Sequence, residues 1–403
     1  MKNERKKTMQ FNWTKLSPDD GHYFFGYYDR CPWDGSERYH LALKVGQCER
    51  LPLPGETAEI GLLDRENPGR FTPVATTRAW CHQQGSMTLW LKDRPGCFGY
   101  NDIDEAGRVV TRIYQLGRGV IRTVFPAFYA ISPDGRWAVS LNFARIPRRG
   151  YSYAEAYLPA ERHPDPDSEG ITLIDLDTFE SRLIVSYRRM MELHPCRYEL
   201  DELYLWLNHA IFNCDSTRLL WLFRQCQDER RPRWKTFMYT SNLDGGELRC
   251  PLPDFYWHGM ISHQIWGRTP NEILIDANWR GKGSEYLVFD ERELPLRAER
   301  ISAGQGPMGH LVFSPDGRTM LADTYPDADG RQYLALVEAA TGKLVRLGSF
   351  LHRQPAGTPG DVRCDLHPRW SQSGRFVTVD SIDDGRRGVY LLELPPEVDF
   401  LAV

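Results

Sequence analysis

The sequence lacks the features that mark membrane proteins, secreted precursors and nucleic-acid-binding proteins. No apolar run approaches the about 18–20 residues that a membrane-spanning helix needs. The basic start, MKNERKKTMQFNW, is not followed by the apolar segment of a secretory signal. With a net charge of −4 over 403 residues, the chain has no positive excess that would favour nucleic acid. We therefore expect neither a nucleic-acid partner nor a membrane partner.

Motifs of the common enzyme classes are missing as well. The chain has no P-loop, no GxSxG elbow and no HExxH, which argues against nucleotide hydrolysis, α/β-hydrolase chemistry and the zinc proteases. Its nine cysteines are scattered, which is typical of reduced thiols rather than of a disulfide framework. We expect a cytoplasmic monomer or weak oligomer, or a secreted or periplasmic protein if a leader was removed.

What the chain does contain is a repeated strand-turn-strand pattern. The turns PWDG, DRPG, SPDG, NCDS, RTPN, SPDG and SQSG recur, each followed by a β-forming run such as RWAVSLN or RFVTVDS. A second hairpin follows most of these runs, so that one unit supplies four strands. Seven such units predict an all-β fold, a seven-bladed β-propeller with four-stranded blades, rather than a pair of β-sandwiches.

Two segments complete this prediction. The last unit is short after GVYLLEL, so residues 10–17 (QFNWTKLS) should add the missing strand and close the ring of a single domain, 1–403. Residues 143–170 form an insertion far longer than the about 2–5 residues of an ordinary hairpin loop. Long loops commonly carry function, and we expect this one to lie over one mouth of the central channel.

Histidine recurs at one position of four successive units. The residue four places before the turn should lie near the start of the innermost strand, and unit by unit it is Tyr28, Phe128, His209, His263, His310 and His367, with unit two not clearly aligned. Only 11 histidines occur in the chain, so four in one register indicate a shared site rather than separate core residues. Propeller topology places this register on the same face as the insertion. His82, which precedes the inner strand of the second unit, should face the same mouth.

These histidines are candidate metal ligands. His263, His310 and His367 come from three neighbouring units, and Cys364 lies three residues before the last. Three imidazoles and a thiolate complete a tetrahedral Zn²⁺ shell, which predicts a closed, structural zinc site. Three histidines without the thiolate could instead hold Mn²⁺ or another divalent ion with open positions.

The remaining groups at this mouth suit acid–base chemistry. His82 is a candidate base, Tyr151 and Tyr153 can donate or accept a proton, and His209 can bind substrate or replace the base. The arginines of the insertion, Arg145, Arg148, Arg149 and Arg162, can bind a carboxylate. On a polyuronide these groups suit β-elimination, whereas hydrolysis usually needs two opposed carboxylates. Acidic residues expected near this mouth include Asp29, Asp323 and Asp380, but no spacing singles out a pair.

The ordered segments HYFFGYYDRCPWD, TTRAWCHQQGSMTLWL, SLNFARIPRRGYSY, ISHQIWG, GHLVFSPDGRTMLADTYPD and DVRCDLHPRWSQSG carry a family resemblance. Together they resemble bacterial propeller proteins related to ulvan lyases and, more distantly, oligogalacturonate lyases, over almost the whole chain. The ulvan-lyase resemblance implies elimination by His82, by Tyr151 or Tyr153, and by Arg162 or Arg149. It also implies a zinc held by His263, His310, Cys364 and His367. The oligogalacturonate lyases hold a catalytic manganese with histidines and a glutamine, and only Gln305 lies near the corresponding place.

We therefore expect a lyase that cleaves a uronate-containing oligosaccharide or polysaccharide by β-elimination. The alternative from another class is a non-catalytic propeller that binds glycans or acts as a scaffold in polysaccharide metabolism. A third possibility, a metal-dependent hydrolase, requires a metal with an open coordination position.

Overall fold

The chain folds into seven antiparallel sheets arranged as the blades of a seven-bladed β-propeller, as the repeats predict. The computed structural model describes residues 11–156, 163–228, 234–251, 261–278, 284–293, 298–301, 308–354, 357–398 and 400. Six sheets have four strands, and the described part of blade 4 has three, with a further bridge between Thr240 and Arg249.

The strands follow the chain from blade to blade. Blade 1 contains β2 (His22–Phe24), β3 (Tyr39–Val45), β4 (Ala58–Asp64) and β5 (Phe71–Thr77). Blade 2 contains β6 (Leu89–Trp90), β7 (Cys97–Ile103), β8 (Val109–Gln115) and β9 (Gly119–Val124). Blade 3 contains β10 (Ala130–Ile131), β11 (Trp137–Ser140), β12 (Gly170–Asp175) and β13 (Ser181–Ser186). Blade 4 contains β14 (Tyr204–Phe212), β15 (Arg218–Cys226) and β16 (Lys235–Asn242).

The last three blades continue the same order. Blade 5 contains β17 (Ile261–Trp266), β18 (Glu272–Asn278), β19 (Ser284–Asp290) and β20 (Ala298–Ile301). Blade 6 contains β21 (Met308–Phe313), β22 (Thr319–Thr324), β23 (Arg331–Glu338) and β24 (Leu344–Leu351). Blade 7 contains β25 (Arg369–Trp370), β26 (Phe376–Ser381) and β27 (Gly388–Glu393).

An N-terminal strand closes the ring. β1 (Thr14–Lys15) pairs antiparallel with β27, with Thr14 opposite Leu391, and so becomes the outermost strand of blade 7. Trp13 adds a hydrogen bond from its indole N–H to the carbonyl of Leu347 in blade 6, at 3.0 Å. The predicted closing strand is confirmed.

Helices are few and short in the described residues. α1 (Tyr187–Leu193) begins at Ser186, whose hydroxyl accepts a hydrogen bond from the backbone of Arg189 as an N-cap. The 3₁₀ turns are Phe143–Arg145, Arg197–Glu202 and Gly360–Val362. Residues 153–156 of the insertion are not helical, and 157–162 lie outside the described residues. No described helix is long and apolar enough to cross a membrane.

Hydrophobic side chains lie between neighbouring sheets and hold the blades together. Leu220 and Leu222 of β15, for example, pack against Ile273 and Ile275 of β18, all of them buried. The first strands of blades 3 to 6 contact one another in turn, which places them around the channel. Side chains near the start of these strands therefore converge on the axis of the propeller.

Candidate functional site

The four register histidines meet on the channel axis. The ring centroids of His263 and His310 are 4.3 Å apart, and those of His310 and His367 are also 4.3 Å apart. His209 joins them through Tyr27, whose ring lies 4.9 Å from that of His209 and 5.0 Å from that of His367. All four imidazoles are buried.

Local irregularities of the inner strands present these histidines. The pairing of β14 with β15 shifts between Asn208 and Ile211, and that of β17 with β18 shifts between Ser262 and Ile265. These are β-bulges, in which two residues oppose one, and each contains a register histidine. His209 and His263 have positive φ angles of 53° and 55° there, an uncommon conformation for a residue with a side chain.

The tyrosines between the histidines come from blade 1. After β2 the chain leaves the sheet, and Tyr27 and Tyr28 lie against the imidazole rings of the register histidines in blades 4 to 7. The ring centroids of Tyr28 and His310 are 4.8 Å apart. Tyr28 was predicted to occupy the same register as the histidines. The turn of blade 1 instead begins at Asp34, which donates its N–H to Tyr39 and places Arg30 four residues earlier.

Buried carboxylates lie beside two of the imidazoles. Asp323 of β22 accepts hydrogen bonds from the backbone N–H groups of His310 and His367, the latter at 3.1 Å, and lies 3.1 Å from Nδ1 of His310. Asp276 of β18 places Oδ2 3.4 Å from Nδ1 of His263, without a hydrogen bond between them. At His310 the carboxylate beside Nδ1 keeps the proton on that nitrogen and leaves the lone pair on Nε2.

Three side chains form a group that could hold a metal ion. His310, Asp365 and His367 each offer one ligand atom, and these atoms lie within 4.8 Å of one another. The sequence predicted Cys364 in place of its neighbour Asp365, and a His₃Cys zinc shell. The Cys364 thiol instead makes a hydrogen bond with the buried Arg387, and burial raises the pKa of that thiol. Cys364 is therefore not part of this group, because the irregular chain at 363–368 presents the neighbouring carboxylate, and His263 is not part of it either. The His₃Cys zinc shell stays a prediction.

The donors of this group suit a divalent cation. Nε2 of His367 is buried and has no hydrogen-bond partner among the described residues. Burial holds the pKa values of His310 and His367 well below their usual range, so both imidazoles are neutral and keep a lone pair. Two imidazoles and one carboxylate favour ions such as Mn²⁺ or Fe²⁺ with open positions, rather than the closed zinc site.

An arginine and two tyrosines surround this group at the mouth. Arg363 donates from Nε to Oδ1 of Asp365 at 2.5 Å and from Nη2 to Oδ2 at 2.9 Å. Its guanidinium lies 4.5 Å from the ring centroid of Tyr325, whose hydroxyl is 3.1 Å from Nε2 of His263. Tyr151 of the insertion lies edge-on to His209 at 6.0 Å.

His82 lies in a different environment. Its Nε2 donates to the carbonyl of Arg50 at 2.8 Å, and its ring packs edge-on against Trp80 at 5.2 Å. Burial, and next the positive charge of Arg387, lower the pKa of His82 to about 3. No ring contact joins it to the register histidines in the described part of the chain. Its assignment as the base stays a prediction, and so low a pKa makes it a weak base.

The insertion contributes some of its predicted residues and not others. Tyr153 is buried, stacked on Phe143 at 5.3 Å, and its hydroxyl accepts a hydrogen bond from Asn101 at 3.2 Å, so it supports the core and not the mouth. Arg149 pairs with Asp361 and lies 4.8 Å from the ring of Trp234. Arg162 lies outside the described residues.

Other insertion residues are engaged in structure. Arg145 forms an ion pair with Glu169, and Arg148 donates to the carbonyl of Pro52. Gln305, the residue considered as the glutamine ligand, lies outside the described residues.

A cavity of about 1250 Å³ opens at the other end of the channel. The turns between first and second strands surround it, and Tyr28, Asp29 and Arg30 line it. Because Tyr28 also contacts the histidines, this segment lies between the cavity and the cluster. Asp29, which the sequence placed among the candidate acids of the histidine mouth, lines this cavity.

Besides Asp276 of β18, sequence reasoning missed four residues of the site. Asp365 and Arg363 lie in an irregular segment that has no strand periodicity, and Tyr325 follows the end of β22. Tyr27 immediately follows Gly26 in the segment that leaves the sheet. The signal that could have found Asp365 is its two-residue spacing from His367, which allows both side chains to turn to one side of an extended chain.

No family model and no curated protein matches the chain. Among solved structures, an oligogalacturonate lyase in complex with manganese is 15% identical, with a TM-score of 0.63 over 97% of this chain and 96% of that one. An oligogalacturonate lyase from Vibrio parahaemolyticus is 14% identical, with a TM-score of 0.62 over 97% of this chain and 98% of that one. The resemblance to oligogalacturonate lyases thus has a counterpart at the level of fold, and that to ulvan lyases stays a prediction. At this identity the comparison shows that the chain has the seven-bladed propeller fold of those two lyases.

Proposed function

We propose that the protein is a lyase that cleaves uronate-containing oligosaccharides by β-elimination and depends on a divalent cation. The observation that carries this proposal is that His263, which lies beside the buried carboxylate of Asp276, meets a group of two histidines and one carboxylate on the channel axis. Elimination from a uronate needs a cationic group at the C6 carboxylate, a base for the C5 proton and an acid for the departing O4.

His263 is the best placed base. Asp276 is buried, and its only ion-pair partner among the described residues is His263. When Nε2 of His263 takes the C5 proton, the resulting imidazolium compensates this buried carboxylate. His209 has no such partner in the described part of the chain: its Nε2 lies 3.4 Å from the hydroxyl of Tyr27, and burial and then Arg224 lower its pKa.

A tyrosine at the mouth is the proposed acid. As the C5–H bond breaks, its electron pair forms the C4–C5 double bond and the C4–O4 bond breaks, so O4 must receive a proton. Tyr325, 3.1 Å from Nε2 of His263, and Tyr151 both carry a hydroxyl near the cluster. Burial raises the pKa of each, so each stays protonated until the reaction needs the proton.

His310, Asp365 and His367 would hold the cation. A divalent ion there would neutralise the C6 carboxylate and acidify the C5 proton. The manganese in the similar oligogalacturonate lyase supports this choice of ion. For the same reason oligogalacturonate is the first substrate to test.

A hydrolase that uses two opposed carboxylates is less well supported. Asp323 is engaged by His310 and His367, and Asp380 is paired with the buried Arg369 at 2.7 Å. Three protein ligands do leave coordination positions open, so a metal-dependent hydrolase is distinguished by its product. Elimination leaves an unsaturated uronate that absorbs in the ultraviolet, whereas hydrolysis does not.

The test is to incubate the protein with Mn²⁺ and a panel of uronate oligosaccharides and to record that absorbance. We expect His263→Gln to lower kcat by about 10²- to 10⁴-fold, the usual contribution of a general base. His194→Gln is the matched control, because His194 is buried against Phe237 and away from the register histidines. Its activity should equal that of the wild type.

Three results would contradict the proposal in different ways. Saccharide binding without any product would favour the glycan-binding propeller. Cleavage without the ultraviolet signal would favour the hydrolase. Loss of activity in His82→Gln, with His263→Gln fully active, would return the role of base to His82.

A further inference from the structure

Asp365 faces two positively charged partners. It is one of the three side chains that could hold the cation, and it is only 3% exposed. Both of its carboxylate oxygens nevertheless already accept hydrogen bonds from Arg363, in a bidentate pair of 2.5 and 2.9 Å. A divalent ion and a guanidinium beside one buried carboxylate leave two surplus positive charges, an unfavourable arrangement in a partly desolvated site.

The surroundings of Arg363 allow its guanidinium to exchange one carboxylate partner for another. Its side chain is 33% exposed and lies over the ring of Tyr325 at the mouth. Its backbone is fixed, because its carbonyl accepts hydrogen bonds from Gln83 at 2.9 Å and from Arg387 at 3.0 Å. The guanidinium can therefore turn toward the mouth without moving the chain. Arg369, by contrast, is fully buried with Asp380 and has no such freedom.

We propose that Arg363 is a substrate-binding residue that exchanges the carboxylate of Asp365 for the carboxylate of the uronate, and so couples substrate binding to cation binding. The inference rests on the proposed function and deepens it. With the uronate bound, Arg363 pairs with the sugar, and both oxygens of Asp365 become available to the cation. The incoming carboxylate also reduces the surplus of the cation, Arg363 and Asp365 from two positive charges to one.

The coupling is reciprocal, since uronate must strengthen cation binding by the same factor by which the cation strengthens uronate binding. The sugar carboxylate is the group required, so a neutral sugar of the same shape has no effect. Removal of the guanidinium frees Asp365 permanently and leaves only the coupling that arises from direct contact between the cation and the uronate carboxylate.

The experiment is a calorimetric titration of chelator-treated protein with Mn²⁺, alone and with saturating galacturonate, which has no glycosidic bond to cleave. Galactose is the neutral control. We expect galacturonate to lower the Kd of Mn²⁺ by about 5- to 150-fold in the wild type, the range of typical coupling. Arg363→Gln should bind Mn²⁺ more tightly than the wild type without galacturonate and should respond to galacturonate less than the wild type does. Arg363→Lys keeps the positive charge but cannot form the two parallel hydrogen bonds of a guanidinium, so it should show intermediate coupling.

Arg38→Gln is the matched control. Arg38 has a similar exposure, 37%, and makes a bidentate pair with a carboxylate, Asp64, that is not in the cation group. This variant should retain the coupling of the wild type.

The outcomes separate this inference from the proposed function. Equal Mn²⁺ affinity with and without galacturonate, or weaker Mn²⁺ binding in Arg363→Gln, would overturn the exchange even if the protein proves to be a lyase. Coupling as expected, without unsaturated product from any uronate oligosaccharide, would support the exchange and contradict elimination.

Discussion

At the scale of single residues, the carboxylates behind the histidines decide what each imidazole can do. The Asp323 carboxylate accepts hydrogen bonds from two backbone N–H groups and lies beside Nδ1 of His310. It therefore fixes the imidazole of His310 and the backbone at His367. Asp276 has His263 as its only described ion-pair partner. In the proposed reaction, the first arrangement would orient the cation ligands, and the second would stabilise the positive charge that forms on His263.

Asp323→Asn should therefore weaken cation binding with little change in fold. An amide places N–H groups where the carboxylate accepted hydrogen bonds, so the orientation of His310 and His367 is lost. Loss of such a partner typically costs 10- to 100-fold in metal affinity, and we expect about that factor for Mn²⁺ by calorimetry. Asp316→Asn, in the exposed turn of the same blade, is the control. Unchanged affinity in Asp323→Asn would contradict this role.

The low pKa of His82 leads to a prediction about how the free energy of unfolding changes with pH. Its folded pKa of about 3 lies below its usual value of about 6.5, so between these values the unfolded chain binds a proton that the folded protein does not. Its contribution to stability is therefore complete above pH 6.5 and is lost as pH falls, by about 1.4 kcal/mol per pH unit. The free energy of unfolding of His82→Gln, measured by denaturant titration, should fall less steeply between pH 6.5 and 4.5. Parallel curves for the two proteins would refute this.

The residues missed from the sequence share a physical reason. The register of His209, His263, His310 and His367 could be predicted, because a turn and a strand fix the place of each along the chain. Asp365 could not be preferred over Cys364, since the segment that carries both has no period of two or of 3.6 residues. Only tertiary packing determines that the thiol faces Arg387 and the carboxylate faces the histidines.

At the scale of elements, the site depends on departures from regular strands. The bulges in β14, β17 and β21 each contain a register histidine. No sequence pattern indicated these bulges. The segment after β2 leaves its sheet at Gly26, which has a φ of +128° and approaches the chain at Gln84 closely. A Cβ at Gly26 would lie 2.7 Å from the carbonyl carbon of Gln84.

Gly26→Ala should consequently displace Tyr27 and Tyr28 from the histidines. We expect a loss of about 1–3 kcal/mol in the free energy of unfolding from strain alone, and weaker Mn²⁺ binding besides. Gly55→Ala is the control, since Gly55 also has a positive φ, +86°, but no atom within 4 Å of the added Cβ. If both variants lose equal stability and neither loses Mn²⁺ affinity, the tyrosine segment has no part in the site.

At the scale of the whole molecule, the closing strand joins the two ends of the propeller. Leu16, which follows β1, is fully buried with Tyr23 of blade 1 and with Phe376 and Val389 of blade 7. Leu16→Ala should lower the free energy of unfolding by about 2–5 kcal/mol, as expected for a buried leucine. Leu53→Ala, at a 52% exposed position, should change it little. Equal stability of the two variants would show that the closure contributes nothing.

The architecture was the most predictable level, because seven repeats of turn and strand specify it redundantly. The predicted blade number, the closing strand and the shared histidine site follow from that repetition and are present in the structure. A cytoplasmic location and a monomeric or weakly oligomeric state stay predictions. The chemistry was less predictable, since it depends on which single side chains of irregular segments turn to the axis.

The central claim is cation-dependent elimination at the His310, Asp365 and His367 group. The most direct test is to strip the protein with chelator, supply oligogalacturonate, and follow the ultraviolet absorbance of the unsaturated product before and after Mn²⁺ is added. The account predicts that product forms only after the addition, and that Asp365→Asn forms none. Product formation at full rate by the stripped protein, or by Asp365→Asn, would contradict it.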